Sequence, residues 1–474
     1  MTASFSTDYL IIGAGAVGLA FADTLASELP DASIAIVDRQ GTPGGHWNHA
    51  YGFVTLHQPS AFYGVNSLEL GSGRKDAQGP NAGLYELASG AQVCGYFDTV
   101  VRRHLLPTGR VRYLPMTEFL GNGRLRSLGH SAEFEVEVRR KTVDATYYAP
   151  RIPALARPKF EVQPGARLVP PNALPHLGLS SQPAPAHYAI VGAGKTAMDA
   201  GVWLRNVGVP AEQITWVVPR DSWLLNRRRT QPGLEFFHDS IGGQVAQMEA
   251  CASATSLEDL FARLEAAEVM LRVDPAVTPA MFHYATVSTG EVEVLRSIRD
   301  VVRLGHVESI GSTGMRLAGG TRAMPQGTLY VDCTASAVEP RPLRPIFAPG
   351  LIVPQLVRAP QPAFSAAFIA HVEAAYASDE DKNALCQPVP FPDRPQDWPA
   401  TVLANLRNEG IWGKDASLRA WIKASRLDGF RKVIEAVDPA DPEKLPVLAA
   451  LRAAAPAAVA NLRRLMQEST VRPG

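Results

Sequence analysis

An apolar strand, a glycine-rich turn and a helix-forming run follow one another twice in this 474-residue chain, and a proline-rich break precedes an alanine-rich end. Those three observations predict an α/β protein with two Rossmann-like dinucleotide-binding domains and a mostly helical C-terminal extension. The length fits two to four domains at about 100–200 residues each. The expected division is 1–185 for the first part of one dinucleotide domain, 186–325 for the second, 326–388 for the return to the first, and 389–474 for the extension.

The first unit opens with Tyr9-Leu10-Ile11-Ile12, an apolar run of the kind a buried parallel strand requires. It enters Gly13-Ala14-Gly15-Ala16-Val17-Gly18, then the helical run Leu19–Leu25, and a second strand Ile34-Ala35-Ile36-Val37 ends at Asp38. Gly13 permits the tight turn, Gly15 lets the backbone approach a pyrophosphate, and Gly18 lets helix and strand pack closely. The helix N-terminus offers free N–H groups and a favourable dipole to the phosphates. Asp38 stands where an acid accepts the ribose hydroxyls, with Arg39 beside it as a further cofactor candidate.

The same grammar returns at His187-Tyr188-Ala189-Ile190-Val191 and Gly192-Ala193-Gly194-Lys195-Thr196-Ala197, with alanine at the third glycine position. A helical run Met198–Leu204 and the strand Ile214–Val218 follow, and that strand leads to Pro219-Arg220 in place of an acid. A cation there suits the 2′-phosphate of NADP, although Asp221 lies next to it. GAGKT lacks P-loop spacing, so Lys195 and Thr196 are expected at the turn facing dinucleotide phosphates and not at ATP.

With one such fold at the start and another inserted after it, the chain resembles the two-dinucleotide-binding-domain flavoproteins. Gly44-Gly45-His46-Trp47 is similar to the GGxW element of flavin-containing (class B) monooxygenases, and Arg220-Asp221-Ser222-Trp223-Leu224-Leu225-Asn226-Arg227 to their Arg-x-x-x-Trp segment. Asp199 matches the family's acidic position in the second helix. The resemblance implies FAD in the first fold, against Gly45, His46 and Trp47, and NADP in the second, with Trp223 and Arg227 joining Arg220. Val143-Asp144-Ala145-Thr146 and Val331-Asp332-Cys333-Thr334 resemble the family's two interdomain crossings, each with its glycine replaced. Helix-like Phe364–Ala370 corresponds to the helix that points its N-terminus at the flavin ring. The resemblance covers roughly residues 5–375. One departure is the Phe-x-Gly-x-x-x-His signature expected before the second glycine turn: Phe160 is present, and no matching histidine follows.

The implied chemistry is an FAD-dependent, NADPH-consuming monooxygenation of a small organic substrate, of N-, S- or Baeyer–Villiger type, with molecular oxygen and a flavin C4a-hydroperoxide. Two alternatives keep the cofactors: an NAD(P)H-dependent reductase or dehydrogenase without oxygen insertion, and an oxidase or FAD-binding protein that has lost NADPH turnover. Tyr51 and Thr55-Leu56-His57-Gln58-Pro59-Ser60 fall where the family places polar groups near the flavin. His57 and Gln58 are the candidate catalytic residues, His57 also as an acid or base near neutral pH.

The composition narrows the partners. With 46 basic and 46 acidic residues the chain gives no reason to expect nucleic acid or an anionic membrane. Its cysteines, Cys94, Cys251, Cys333 and Cys386, form no CxxC, which argues against a metal site and the disulfide-reductase branch and fits a reducing cytoplasm. The start lacks a charged n-region, and no stretch is expected to reach the roughly 20 apolar residues of a membrane span. The extension could cover a substrate cavity, form a homodimer or buttress the FAD domain; the last is favoured.

Overall fold

A computed structural model describes residues 4–148, 150–179, 184–335 and 341–471. The first lobe is built on a sheet in the order Phe347–Ala348, Leu351–Ile352, Glu133–Asp144, Ser4–Ile12, Ile34–Val37, Val111–Leu114, parallel except at the first pair. Ile34–Val37 is buried at every position, as a strand covered on both faces should be. On one face lie the helices Ala16–Glu28 and Pro362–Ala375, buried from Gly18 to Ala26 and from Ala363 to Glu373. On the other, a meander of Thr117–Gly121, Arg124–Ser127 and the start of Glu133–Asp144 closes over Leu10, Ala35 and Val37. The alternation Glu133-Phe134-Glu135-Val136 is that of a strand with one covered face.

The second lobe carries a five-stranded parallel sheet in the order Asp300–Val302, Ile214–Val217, His187–Val191, Thr328–Asp332, Arg167–Val169. This corrects the expected boundaries. Glu161–Val162 and Arg167–Val169 pair with second-lobe strands, and Thr328–Asp332 lies in the middle of its sheet. The proline-rich surroundings of these short strands hid them, and a parallel sheet recruits strands far apart in the chain.

The two lobes repeat one local construction. Gly13 N donates to Val37 O at 2.8 Å and Gly192 N to Val217 O at 3.1 Å. At each crossing an aspartate closes a turn: Asp144 Oδ1 accepts from Thr146 N at 3.0 Å and Asp332 Oδ1 from Thr334 N at 2.9 Å. The Val-Asp-x-Thr repeat is therefore a repeat of structure.

The extension contains helices Trp398–Trp412, Ala416–Ala424, Gly429–Glu435 and Lys444–Val471. Trp412 packs 4.4 Å from Phe368, and Trp421 stacks on His371 at 4.7 Å, both against the first lobe. The long helix instead runs along Phe237–Ser253 of the second lobe, where Asn461 Nδ2 donates to Cys251 O and Ala254 O, each at 2.8 Å. The extension thus grips both lobes, not the FAD domain alone. One expectation about length also fails: Lys444–Glu468 is long and apolar enough, by length and composition, to cross a membrane. Its alanines raise the hydropathy of a helix that buries only the stripe Ala458, Leu462 and Leu465 on the second lobe.

Candidate functional site

The glycine turns have the shapes their roles require. Gly13 has φ +101°, a backbone that side chains disfavour. A Cβ on Gly18 would lie 1.9 Å from Gly13 O, so helix and turn can close only on glycine. Gly44 N donates to Ala14 O at 2.8 Å, and a Cβ on Gly45 would come within 2.9 Å of Gly15 Cα. The GGHW element is docked on the first turn. In the second unit a Cβ on Gly192 would meet Cys333 O at 2.7 Å. One on Gly194 would meet nothing within 4 Å. No neighbour in the chain demands glycine at Gly194, which leaves the approach open for a pyrophosphate. Neither helix after these turns has a side-chain cap, so both present their first N–H groups outward. Ala197, at the third glycine position, is fully buried.

Asp38 sits at the end of the second strand and closes the first turn. Its Oδ2 accepts from Ala14 N at 2.6 Å and its Oδ1 from Gln40 N at 2.7 Å. Arg39 lies at the rim, 71 % exposed, with Glu118 at 3.7 Å. Trp47 Nε1 donates to Tyr63 Oη at 2.7 Å, and the His46 ring stacks on Trp47 at 5.0 Å. His46 and His57 each keep an exposed face while protein packs around the rest of the ring. That enclosure pushes His46 down to about 4. His57 falls to about 3, by enclosure first and then by the charges of Lys195 and Arg227. His57 is therefore a neutral imidazole at physiological pH. Gln58 stands beside it, half-buried.

The two units meet beside His57, whose carbonyl accepts from Arg227 of the second lobe. Tyr51, from the first lobe, donates to Asp199 Oδ2 at 2.7 Å, and Asp199 is ion-paired with Lys195, whose side chain is 8 % exposed. Thr196 is half-buried next to them. Burial, and then the Asp199 charge, lift the Tyr51 phenol well above its ordinary range. Phe53 stacks on Trp203 at 5.0 Å and extends the same junction.

Two expected cofactor contacts are elsewhere. Arg227 is fully buried: Nε donates to His57 O and Nη2 to Thr286 O, both at 2.9 Å, and Nη1 serves Asn81 and Glu291. Four of its five N–H groups are engaged inside the protein, so this fully buried, Glu291-paired side chain joins the lobes and does not face a phosphate. Burial raises the Glu291 carboxyl, but Lys195, Arg227 and Ser288 outweigh it and hold the group down at about 2. Trp223 stacks on Phe261 at 5.3 Å in a core cluster and faces no cleft. Arg228 and Arg229 pair with Asp239 at the surface. Arg220 keeps its place past the end of Ile214–Val217, and Asp221 is bound by Arg303 at 2.9 and 3.1 Å.

Sequence reasoning missed what the extension adds. Asn405 bonds Ala359 N and O at 2.9 and 3.0 Å, and Asn408 Nδ2 donates to Val357 O at 2.8 Å. Both clasp the loop entering helix Pro362–Ala375, whose N-terminus is expected at the flavin. No local signal marks an asparagine that serves a loop some 50 residues away in sequence. Among the described residues no group of His, Cys, Asp and Glu side chains is arranged to hold a metal ion.

Residues 11–66 match the family model described as an NAD(P)-binding Rossmann-like domain. The uncharacterized protein Rv2000 of Mycobacterium tuberculosis is 48% identical over 428 residues, 90% of this chain and 78% of that protein, and the uncharacterized protein Mb2023 of Mycobacterium bovis matches equally. Among solved structures, cyclohexanone-bound cyclohexanone monooxygenase in its rotated conformation superposes with a TM-score of 0.50 at 13% identity, over 81% of this chain and 88% of that one. A flavin-containing monooxygenase from Stenotrophomonas maltophilia covers 80% of this chain and 99% of its own, with a TM-score of 0.44 at 15% identity.

Proposed function

The chain belongs to the family of these mycobacterial proteins and has the two-domain flavin monooxygenase fold, and from that premise we propose that it is an FAD-dependent, NADPH-consuming monooxygenase of a small organic substrate. The observation that carries the reading is the contact by which Tyr51 of the first lobe meets Asp199 and, through it, Lys195 of the second glycine turn. A hydride donor on one turn and its acceptor on the other would face each other there.

In this reading Gly13, Gly15 and Gly18 cradle the FAD pyrophosphate, Gly45, His46 and Trp47 lie along the flavin side, and Asp38 orders the turn while reaching the ribose. Gly192, Gly194, Lys195, Thr196 and Ala197 receive the NADP pyrophosphate, with Arg220 at the 2′-phosphate. FAD supplies hydride acceptance and oxygen activation when bound. The chain orients it, excludes water and presents the neutral His57 and Gln58 as hydrogen-bonding groups toward the oxygen side. The cytoplasm is the compartment this reading expects, in keeping with four cysteines that carry no disulfide.

Stopped-flow spectroscopy tests the reaction. The flavin-loaded protein is reduced with NADPH under nitrogen and mixed with oxygen. A persistent near-ultraviolet band before oxidised flavin returns is the expected result. Immediate return with stoichiometric peroxide release would sink oxygen insertion and favour the reductase alternative. A protein that cannot take up FAD would end the reading.

A further inference from the structure

Asp393 belongs to the proline-rich segment that opens the extension, yet it is fixed to the second lobe. Its carbonyl accepts from Phe282 N at 3.0 Å, and Asp397 Oδ2 accepts from Asp393 N at 3.3 Å. Its carboxylate spans an imidazole and a guanidinium: Oδ1 meets His283 Nε2 at 2.7 Å and Oδ2 meets Arg220 Nη1 at 3.3 Å. All three side chains are part-exposed, at 47 %, 41 % and 39 %. The cluster lies past the end of the second strand of the second unit. Next to Arg220 in the chain, Asp221 and Ser222 border a crevice of only about 10 Å³ that reaches Ala193 of the glycine turn. An adenosine held by that turn would put its ribose 2′ position on the Arg220 side, as this fold dictates. Asp221, the other acid at this strand end, is committed to Arg303.

Resting on the NADP reading of the second lobe, we propose that Arg220 and His283 form the seat of the 2′-phosphate and that Asp393 competes for that seat, setting the preference between NADPH and NADH. A 2′-phosphate brings close to two negative charges to the donors that the carboxylate already spans. It must displace Asp393 or bind beside a like charge, whereas a free 2′-hydroxyl meets neither penalty. The part-exposed pair is weak enough to open, because ion pairs in water are worth little. The extension thereby touches cofactor choice as well as packing.

The test uses the purified yellow protein and calorimetric titration with adenosine 2′,5′-bisphosphate and with adenosine 5′-diphosphate. Asp393→Asn is expected to tighten the 2′,5′-bisphosphate about three- to tenfold and to leave the 5′-diphosphate unchanged. His283→Gln is expected to loosen the first and spare the second. Asp393→Ser repeats the first variant with a different side chain. If wild type binds both nucleotides and the Asp393 variants leave their ratio unchanged, or lower it, the competition is refuted while the NADP reading stands. If wild type binds neither, the reading falls and the proposal with it.

Discussion

Gly18 has no room for a side chain, since the nearest atom a Cβ would meet is a backbone oxygen that cannot rotate away. Gly18→Ala is expected to cost about 2–3 kcal/mol and most of the bound FAD, read by urea unfolding and by flavin absorbance of the purified variant. Arg227 matters for a different reason. Removing it leaves Glu291 buried without its partner, so Arg227→Met should destabilise by about 3–5 kcal/mol, and adding Glu291→Gln should recover part of that loss. Arg220→Ala should raise KM for NADPH about tenfold with little change for NADH, and equal changes would remove its 2′-phosphate role. Gly13 and Gly18 were legible because each answers to a backbone constraint within a few residues. Arg227 was not, since its partners His57, Asn81, Thr286 and Glu291 come from both lobes and only the fold assembles them. The same applies to Trp223: a tryptophan in a recognisable segment carries no mark of which way its strand turns it.

At the scale of elements, the strands and helices of the two units could be read because an apolar run followed by a glycine turn has few other solutions. The short strands Glu161–Val162 and Arg167–Val169 escaped, being shorter than any periodicity can register. The extension was visible as helix and illegible as contact, since packing partners are not local. Trp412 anchors it: 1 % exposed, its Nε1 donates to Leu385 O at 2.8 Å while the ring packs on Phe368 and Phe364. Trp412→Ala is expected to cost about 3–5 kcal/mol in urea unfolding and to expose residues 398–435 to limited proteolysis.

For the molecule as a whole, the junction between lobes holds the Arg227–Glu291 pair away from water. Glu291 has a folded-state value near 2 against an ordinary 4.5. A depressed carboxyl contributes stability in full above its unfolded value, and that contribution is lost as pH falls from about 4.5 toward 2. The urea midpoint should therefore drop across that window, and it should drop less in Glu291→Gln. His57 acts in the same sense at higher pH: its imidazole is lowered from an ordinary 6.5, so protonation of the unfolded chain takes stability away as pH falls below that value.

The grip of the extension on both lobes has a mechanical consequence. Trp412 and Trp421 fasten it to one side of the cleft, and Asn461 fastens it to the other. The Gly429–Glu435 helix already spans the joint: its Val433 packs with Phe237 and Ile241 of the second lobe while its Phe430 meets Phe62 of the first at 5.6 Å. A strap fixed to both halves acts as a splint, and a wide swing of one half against the other has to peel a helix from its bed.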